Sequence, residues 1–222
     1  MTLTVYMVRH GQTLLNSYNR LQGWCDSPLT PKGTNDALSA GRHLKDLTFD
    51  AAYSSDTTRA IKTLRFILKE NEAENKPEPK TLTYFREQSF GYFEGNDASQ
   101  TWLMAGAIHG CRTYNDLLEK YSLGYTRDLL HELDPFKDAE SDAQYWQRLD
   151  AGFDYLLKKH QPDAKILLVS HSITIRSIVD RYDKTLGADV LGPRNGSVTK
   201  LLVDPNNIQV AYYNHHLDNE KY

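Results

Sequence analysis

The chain has 222 residues, 40% hydrophobic and 25% charged, with a formal net charge of -3. That length supports a sizeable core in one domain, or in one domain carrying an insertion. The mild acidity gives no electrostatic case for nucleic acid or an anionic membrane. No apolar run is long enough to span a bilayer, and no signal peptide is read. Cys25 and Cys111 make neither a disulfide framework nor a zinc ligand set, so a reducing cytoplasm is the expected compartment.

Residues 3–8 form a β-branched and apolar run, which predicts a buried strand. Gly11 then turns the chain and Thr13 caps a helix. Thr30 and Pro31 start a helix expected to reach about Leu47, with Ala37, Leu38, Gly41 and Leu44 on its inner face. Residues 51–54 are a short strand, and Asp56 is placed to cap a helix whose Ala60, Leu64, Ile67 and Leu68 share a face. The charged stretch 71–80 holds Pro77 and Pro79 and reads as a loop, and 81–85 reads as a strand. Residues 90–138, with scattered glycines and aromatics and a helical piece near Tyr114, read as an insertion over the working edge of the sheet. A strong helix is expected over 141–160, a strand over 165–170, a helix to about Tyr182, and a hairpin of 198–203 and 208–213 around Asp204-Pro205-Asn206-Asn207. Strands alternating with helices argue for an α/β sandwich around a mainly parallel sheet with one antiparallel edge.

Four segments bring reactive groups to strand ends: Arg9-His10-Gly11, Ser54-Ser55-Asp56 with Arg59, Arg86-Glu87, and Ser170-His171-Ser172. In open α/β sheets such ends converge on one crevice. Two arginines and two histidines suit a phosphate dianion, because guanidinium offers planar paired donors. A neutral imidazole can attack phosphorus, and Arg9 and Arg59 would keep His10 neutral by lowering its pKa. Its other nitrogen needs an acceptor, most simply a backbone carbonyl. The leaving alkoxide needs a proton, for which Glu87 is the candidate and Glu94 the rival. No metal and no cofactor are required, because arginines and histidines already neutralise the transferring group.

These residues resemble the histidine phosphatase superfamily, in its phosphoglycerate mutase-like branch. The resemblance runs through Arg9-His10-Gly11-Gln12-Thr13 with Asn16, then Arg20, Gln22 and Gly23, then Leu29-Thr30 with Gly33. It continues through Ser54-Ser55-Asp56 with Arg59-Ala60, Glu87 with Phe90-Gly91 and Glu94-Gly95, Glu140-Ser141, and Val169-Ser170-His171-Ser172. It implies a three-layer α/β/α sandwich and a single domain over 1–222, with a lid insertion at about 96–138. It implies that His10 is the phosphorylated nucleophile and that Arg9, Arg59 and His171 complete a phosphate pocket. Glu87 matches the proton donor, and Asn16, Gln22, Gly23 and Ser172 match positions that contact phosphate or substrate. The implied partner is a small phosphorylated metabolite.

The family holds phosphatases and cofactor-dependent mutases. A mutase needs cations for a second phosphate, supplied in the insertion by a paired arginine with downstream prolines. Residues 96–140 lack that pair and hold only Pro135, with four cations against eight carboxylates, a net -4. The stretch Arg86-Glu87-Gln88-Ser89-Phe90-Gly91 also lacks the Arg and His that follow the glutamate in mutases. Hydrolysis is therefore the favoured reading, with a mutase as its alternative and a silent phosphate-binding or scaffolding module as a third. Bland roles stand beside these. Taken alone, Arg59 reads as an ion-pair partner of Asp56, until the order of the motifs is considered; Cys25 reads as a packed side chain ahead of a redox-sensitive thiol, and His215-His216 as a solvated tail ahead of a weak metal pair. Tyr92, Phe93, Trp102, Tyr114, Tyr121 and Tyr125 read as a leaving-group pocket or as the insertion's own packing.

Overall fold

Strand β1 (Leu3–Arg9) carries the apolar run, and five of its residues are almost fully buried, because it lies inside a sheet covered on both faces. It pairs in parallel with β4 (Lys165–Ser170) and antiparallel with β5 (Val198–Val203). On the far side of β4 lie β2 (Ala51–Ser54) and the edge strand β3 (Pro79–Thr81); on the far side of β5 lies β6 (Ile208–His215). The order is β3-β2-β4-β1-β5-β6. The β5–β6 turn closes because the Asp204 carboxylate accepts from the Asn206 and Asn207 amides. The computed structural model describes residues 2–186 and 192–222, and none of the helices there is long and apolar enough to cross a membrane.

Alternate strand residues feed two cores, as the two-residue period of a strand requires. Leu3, Val5, Met7, Tyr53, Ile166 and Leu168 face helices α7 (Asp142–Lys159) and α8 (Ser172–Tyr182). Tyr6, Val8, Ala52, Leu167 and Val169 face α2 (Pro31–His43) and α3 (Thr58–Glu70). The result is a three-layer α/β/α sandwich. After β1 the chain makes one short helical turn, α1 (Leu14–Ser17), capped by Thr13, and then enters α2 on one face of the sheet. After the adjacent parallel strand β4 it enters α8 on the other face. Neighbouring strands that feed helices on opposite faces leave a crevice between their carboxyl ends, and His10 and His171 stand at its two sides.

Between β3 and α7, helices α4 (Ala98–Gly106), α5 (Tyr114–Lys120) and α6 (Leu123–Leu133) build a third cluster. It packs Trp102, Leu117, Leu129 and Leu130 against Leu21, Phe90 and Ile173. Because Ile173 lies in the first turn of α8, this insertion sits at the crevice end of the sheet.

Three local expectations need correction. Helix α2 stops at His43 rather than near Leu47, because the carbonyls of Leu44 and Leu47 accept from the Asn71 amide. Its buried stripe is Ala37, Ala40, Gly41 and Leu44; Leu38 lies to one side and stays half-buried. Of the segment 81–85 only Thr81 is strand, as the end of β3, which starts at Pro79 inside the expected loop; Leu82 then leads into a 3-10 turn (Thr83–Phe85) that drops Phe85 into the core.

The crevice also depends on two glycines meeting face to face. A Cβ on Gly33, at the start of α2, would lie 1.9 Å from the Gln12 carbonyl oxygen, and one on Gly11 would lie 2.0 Å from the Gly33 oxygen. Both contacts are to backbone, which cannot swing aside. Gly33→Ala is expected to cost about 3 kcal/mol, read as a lowered urea midpoint; an unchanged midpoint would show that the loop is not held there.

Candidate active site

His10 follows β1 directly and is 4% exposed. Its Nδ1 lies 2.8 Å from the Gly11 carbonyl, which can only accept, so Nδ1 carries the proton and Nε2 keeps a free lone pair. The backbone behind it is fixed by Gly11 N–H donating to Thr63 Oγ1 and by the Asn195 amide donating to the His10 carbonyl. Burial, then the charges of Arg59 and Arg9, push the imidazole well below its ordinary 6.5.

His171 leaves β4 and caps α8, and its ring centroid lies 5.1 Å from that of His10. Arg59 Nη2 stands 3.2 Å from His171 Nδ1. A guanidinium only donates, so Nδ1 accepts and Nε2 carries the proton, donating a hydrogen bond to Ser55 Oγ at 2.7 Å. Burial and then Arg59 hold this imidazole well below 6.5 too.

Arg59, in the first turn of α3, is fully buried. It is not a partner of Asp56. Its Nη2 donates to Gly23 O at 2.6 Å, and its Nη1 to Cys25 O at 2.8 Å and to Asp26 Oδ1 at 3.0 Å. The Gln22 amide completes the set: its oxygen accepts from Arg59 Nε at 2.9 Å while its nitrogen faces the hydroxyls of Thr13 and Ser27. Asp56 does not cap α3. It takes a two-point ion pair with Arg86, and the Asp26 carboxylate accepts from the first free amide of α3, Thr58 N.

Glu87 is buried under the start of α8. Its Oε1 accepts from Gln88 N, Thr174 N and Thr174 Oγ1, and its Oε2 from Ile173 N alone, at 2.9 Å. Burial raises its pKa and these donors pull it back, the balance lying above the usual carboxylate value. Oε2, with one partner, is the oxygen with room for a proton. Arg148 of α7 fixes the segment by donating to the carbonyls of Tyr84, Arg86 and Glu87 while paired with Glu140.

The remaining candidates are held by local contacts. Arg9 donates to the Pro193 carbonyl, and its charge still reaches His10. Asn16 closes a capping box with Thr13. Gly23 has no room for a side chain, since a Cβ would lie 2.0 Å from Gln88 O. Ser172 is half-buried at the first position of α8.

Other readings resolve through contacts. Glu94 spends its carboxylate on backbone amides rather than facing His10 as a rival acid. Burial and Glu94 push the Cys25 thiol up to about 12, which favours the packed side chain over a redox-sensitive thiol. Phe93 and Trp102 are buried in the insertion's core with Tyr114, Tyr121 and Tyr125 against it, while Tyr92 lies outside on Phe93 and Phe136. His215 stacks on Tyr212 at 4.1 Å, and His216 Nδ1 bonds the Asn214 carbonyl. The sequence reading gave no role to Ser55, Asp26, Asn195 or Arg148. Ser55 carried a signal as part of the strand-end segment Ser54-Ser55-Asp56, and Arg148 as a polar residue inside the apolar stripe of α7; Asp26 and Asn195 meet Thr58, Arg59 and His10 from 32 to 185 positions away.

The chain is a doubly wound α/β sandwich that gathers two neutral imidazoles and a buried guanidinium at its switch point. The chain belongs to the histidine phosphatase superfamily (branch 1), which matches residues 5–216. It is 41% identical over 200 residues to the 2,3-bisphosphoglycerate-dependent phosphoglycerate mutase 1 of Lactobacillus johnsonii, covering 83% of this chain and 86% of that protein. The crystal structure of a phosphoglycerate mutase from Bacillus anthracis superposes with a TM-score of 0.89 at 34% identity, covering 97% of this chain and 94% of that one. The α-ribazole phosphatase from Shigella flexneri shares the fold, with a TM-score of 0.69 at 19% identity over 99% of this chain and 100% of that one.

The buried imidazoles set a pH dependence of stability. Folded, His10 and His171 stay neutral; unfolded, each takes a proton near 6.5. Below that pH the unfolded state binds more protons, so stability is lost as pH falls, by up to about 2.7 kcal/mol per pH unit for the pair. Glu87, whose pKa is raised, counts the other way. Urea midpoints measured at about pH 7.5 and about pH 5.5 without phosphate should fall on acidification, and fall less in His10→Ala and in His171→Ala. An identical drop in all three would remove the imidazoles as its cause.

Proposed function

We propose that the chain is a metal-independent phosphomonoester hydrolase acting through a phosphohistidine on a small phosphorylated metabolite. The observation that carries this reading is His10, held with its proton on Nδ1 and its Nε2 lone pair free beside His171 and Arg59. Nε2 attacks phosphorus, the N–P bond forms and the P–O bond to the leaving group breaks. Arg9, Arg59 and His171 carry the non-bridging oxygens, with Asn16, Gln22, Gly23 and Ser172 around them. Bound phosphate opposes the field of the two arginines, which lets His171 take a proton and become a donor to the ester. Glu87 gives the proton on Oε2 to the departing alkoxide, then takes one from the water that attacks the phosphohistidine, and phosphate leaves.

Residues 96–138 act as the lid over this site, and their charge favours hydrolysis. Of the four cations in residues 96–140, Arg127 is bound to Asp142 and Ser177, Lys137 to Glu132, and Lys120 to the His109 carbonyl, leaving Arg112 exposed. That supplies little for a second phosphate. The mutase names of two relatives keep phosphoglycerate mutase as the second reading.

Phosphate release from an aryl phosphate, measured with a chelator present, is expected from the native chain and not from folded His10→Ala. Because His10 stays neutral well below 6.5, the acid limb of kcat/KM lies below that value. Glu87→Gln should slow alkyl esters about 10²–10⁴-fold and aryl esters much less; equal losses would remove the proton-donor role. Interconversion of phosphoglycerates without phosphate release would establish the mutase instead. Phosphate binding without either reaction would establish the silent module.

A further inference from the structure

We infer that Glu94 is a positioning residue that clamps the loop carrying Gln22 and Gly23 from the side opposite Arg59, and so sets how Arg59 meets phosphate; this rests on the phosphate-site reading above. Its Oε2 accepts from Gly23 N at 2.9 Å and Cys25 N at 3.2 Å. Its Oε1 accepts from Trp24 N at 2.7 Å and from Phe90 N at 3.0 Å. Three consecutive amides of the loop thus converge on one carboxylate. On the other side, the carbonyls of Gly23 and Cys25 take the guanidinium of Arg59.

The Gly23–Trp24 peptide lies between these two charges, its N–H on Glu94 and its C=O on Arg59, so each bond polarises the other. Arg59 is fully buried and has no water to replace a lost carbonyl. Its geometry therefore depends on a carboxylate it does not touch. Gly23 shows how close the clamp is, since a Cβ there would lie 2.6 Å from Glu94 Oε1. The anchor reaches the loop because the 3-10 turn (Gly91–Phe93) folds Glu94 back onto its own Phe90 amide. The Cys25 thiol, pushed up to about 12 by burial and by Glu94, reports on the same contact.

The test uses Glu94→Gln, with Glu119→Gln, an exposed acid of the insertion, as the control. A glutamine keeps one acceptor oxygen and turns an NH2 toward two of the four amides. In the full chain, affinity for inorganic phosphate by calorimetry should fall about tenfold, and iodoacetamide alkylation of Cys25, assigned by peptide mapping, should rise about tenfold. Neither should change in the control. A lowered melting point with native phosphate affinity and native Cys25 reactivity would mean Glu94 is merely structural and would overturn the proposal. If Glu94→Gln does not fold, amide exchange in the native chain decides. Slow exchange at Gly23, Trp24 and Cys25, slowed further by phosphate, supports the clamp; exchange at open-loop rates overturns it. A native chain that binds no phosphate removes the phosphate-site reading, whereas native binding with an unprotected loop removes only the clamp.

Discussion

The buried guanidinium of Arg59 is the interaction on which the site depends. A cation taken out of water must find full compensation, and Arg59 finds it in carbonyls of the loop after Leu21, in the Gln22 amide and in Asp26. Those partners fix the loop as firmly as they fix the arginine. Burial first, and then this charge, lower the pKa of both histidines, and the guanidinium donates to His171 and so fixes its tautomer. The two histidines are thereby held neutral side by side, without becoming charged and repelling one another.

The fold supplies the place for this charge. Adjacent parallel strands β1 and β4 send their helices to opposite faces, so their carboxyl ends are not covered by either. His10 and His171 each occupy the first position past a buried strand, where a turn is unavoidable and backbone groups are free to orient a ring. The close meeting of Gly11 and Gly33 brings the start of α2 against this turn. Side chains from α3, from the segment after β3 and from α8 then close on it. The insertion packs onto the same end through Leu21, Phe90 and Ile173, as a separate small core.

Periodicity and capping made most of the scaffold legible. The continuous apolar run of β1, the Thr30-Pro31 start of α2, the Ser141 capping box of α7 and the Asp204 turn are local signals, and each element stands where its residues put it. Legibility failed at ends and edges. Helix α2 ends early because Asn71, distant in sequence, takes the carbonyls of Leu44 and Leu47 just past it. The 81–85 run is rich in strand formers, yet Phe85 is drawn inward by the core, and the edge of the sheet keeps three residues. Composition located the insertion but left its helices largely open, because its aromatics serve a core whose partners lie elsewhere in the chain.

The sequence by itself determined the alternation of strands and helices, the residues that end each strand, and membership of a family whose motifs fall in order along the chain. It did so because strand runs, caps and strand-end motifs are short-range patterns. The tertiary structure alone decided which acid serves which base. Asp26 rather than Asp56 pairs with Arg59, Ser55 accepts from His171, Glu87 sits beneath α8, and Glu94 holds the loop that faces Arg59. Those pairings join positions dozens of residues apart, and buried charges choose partners by proximity and desolvation, which no local pattern encodes.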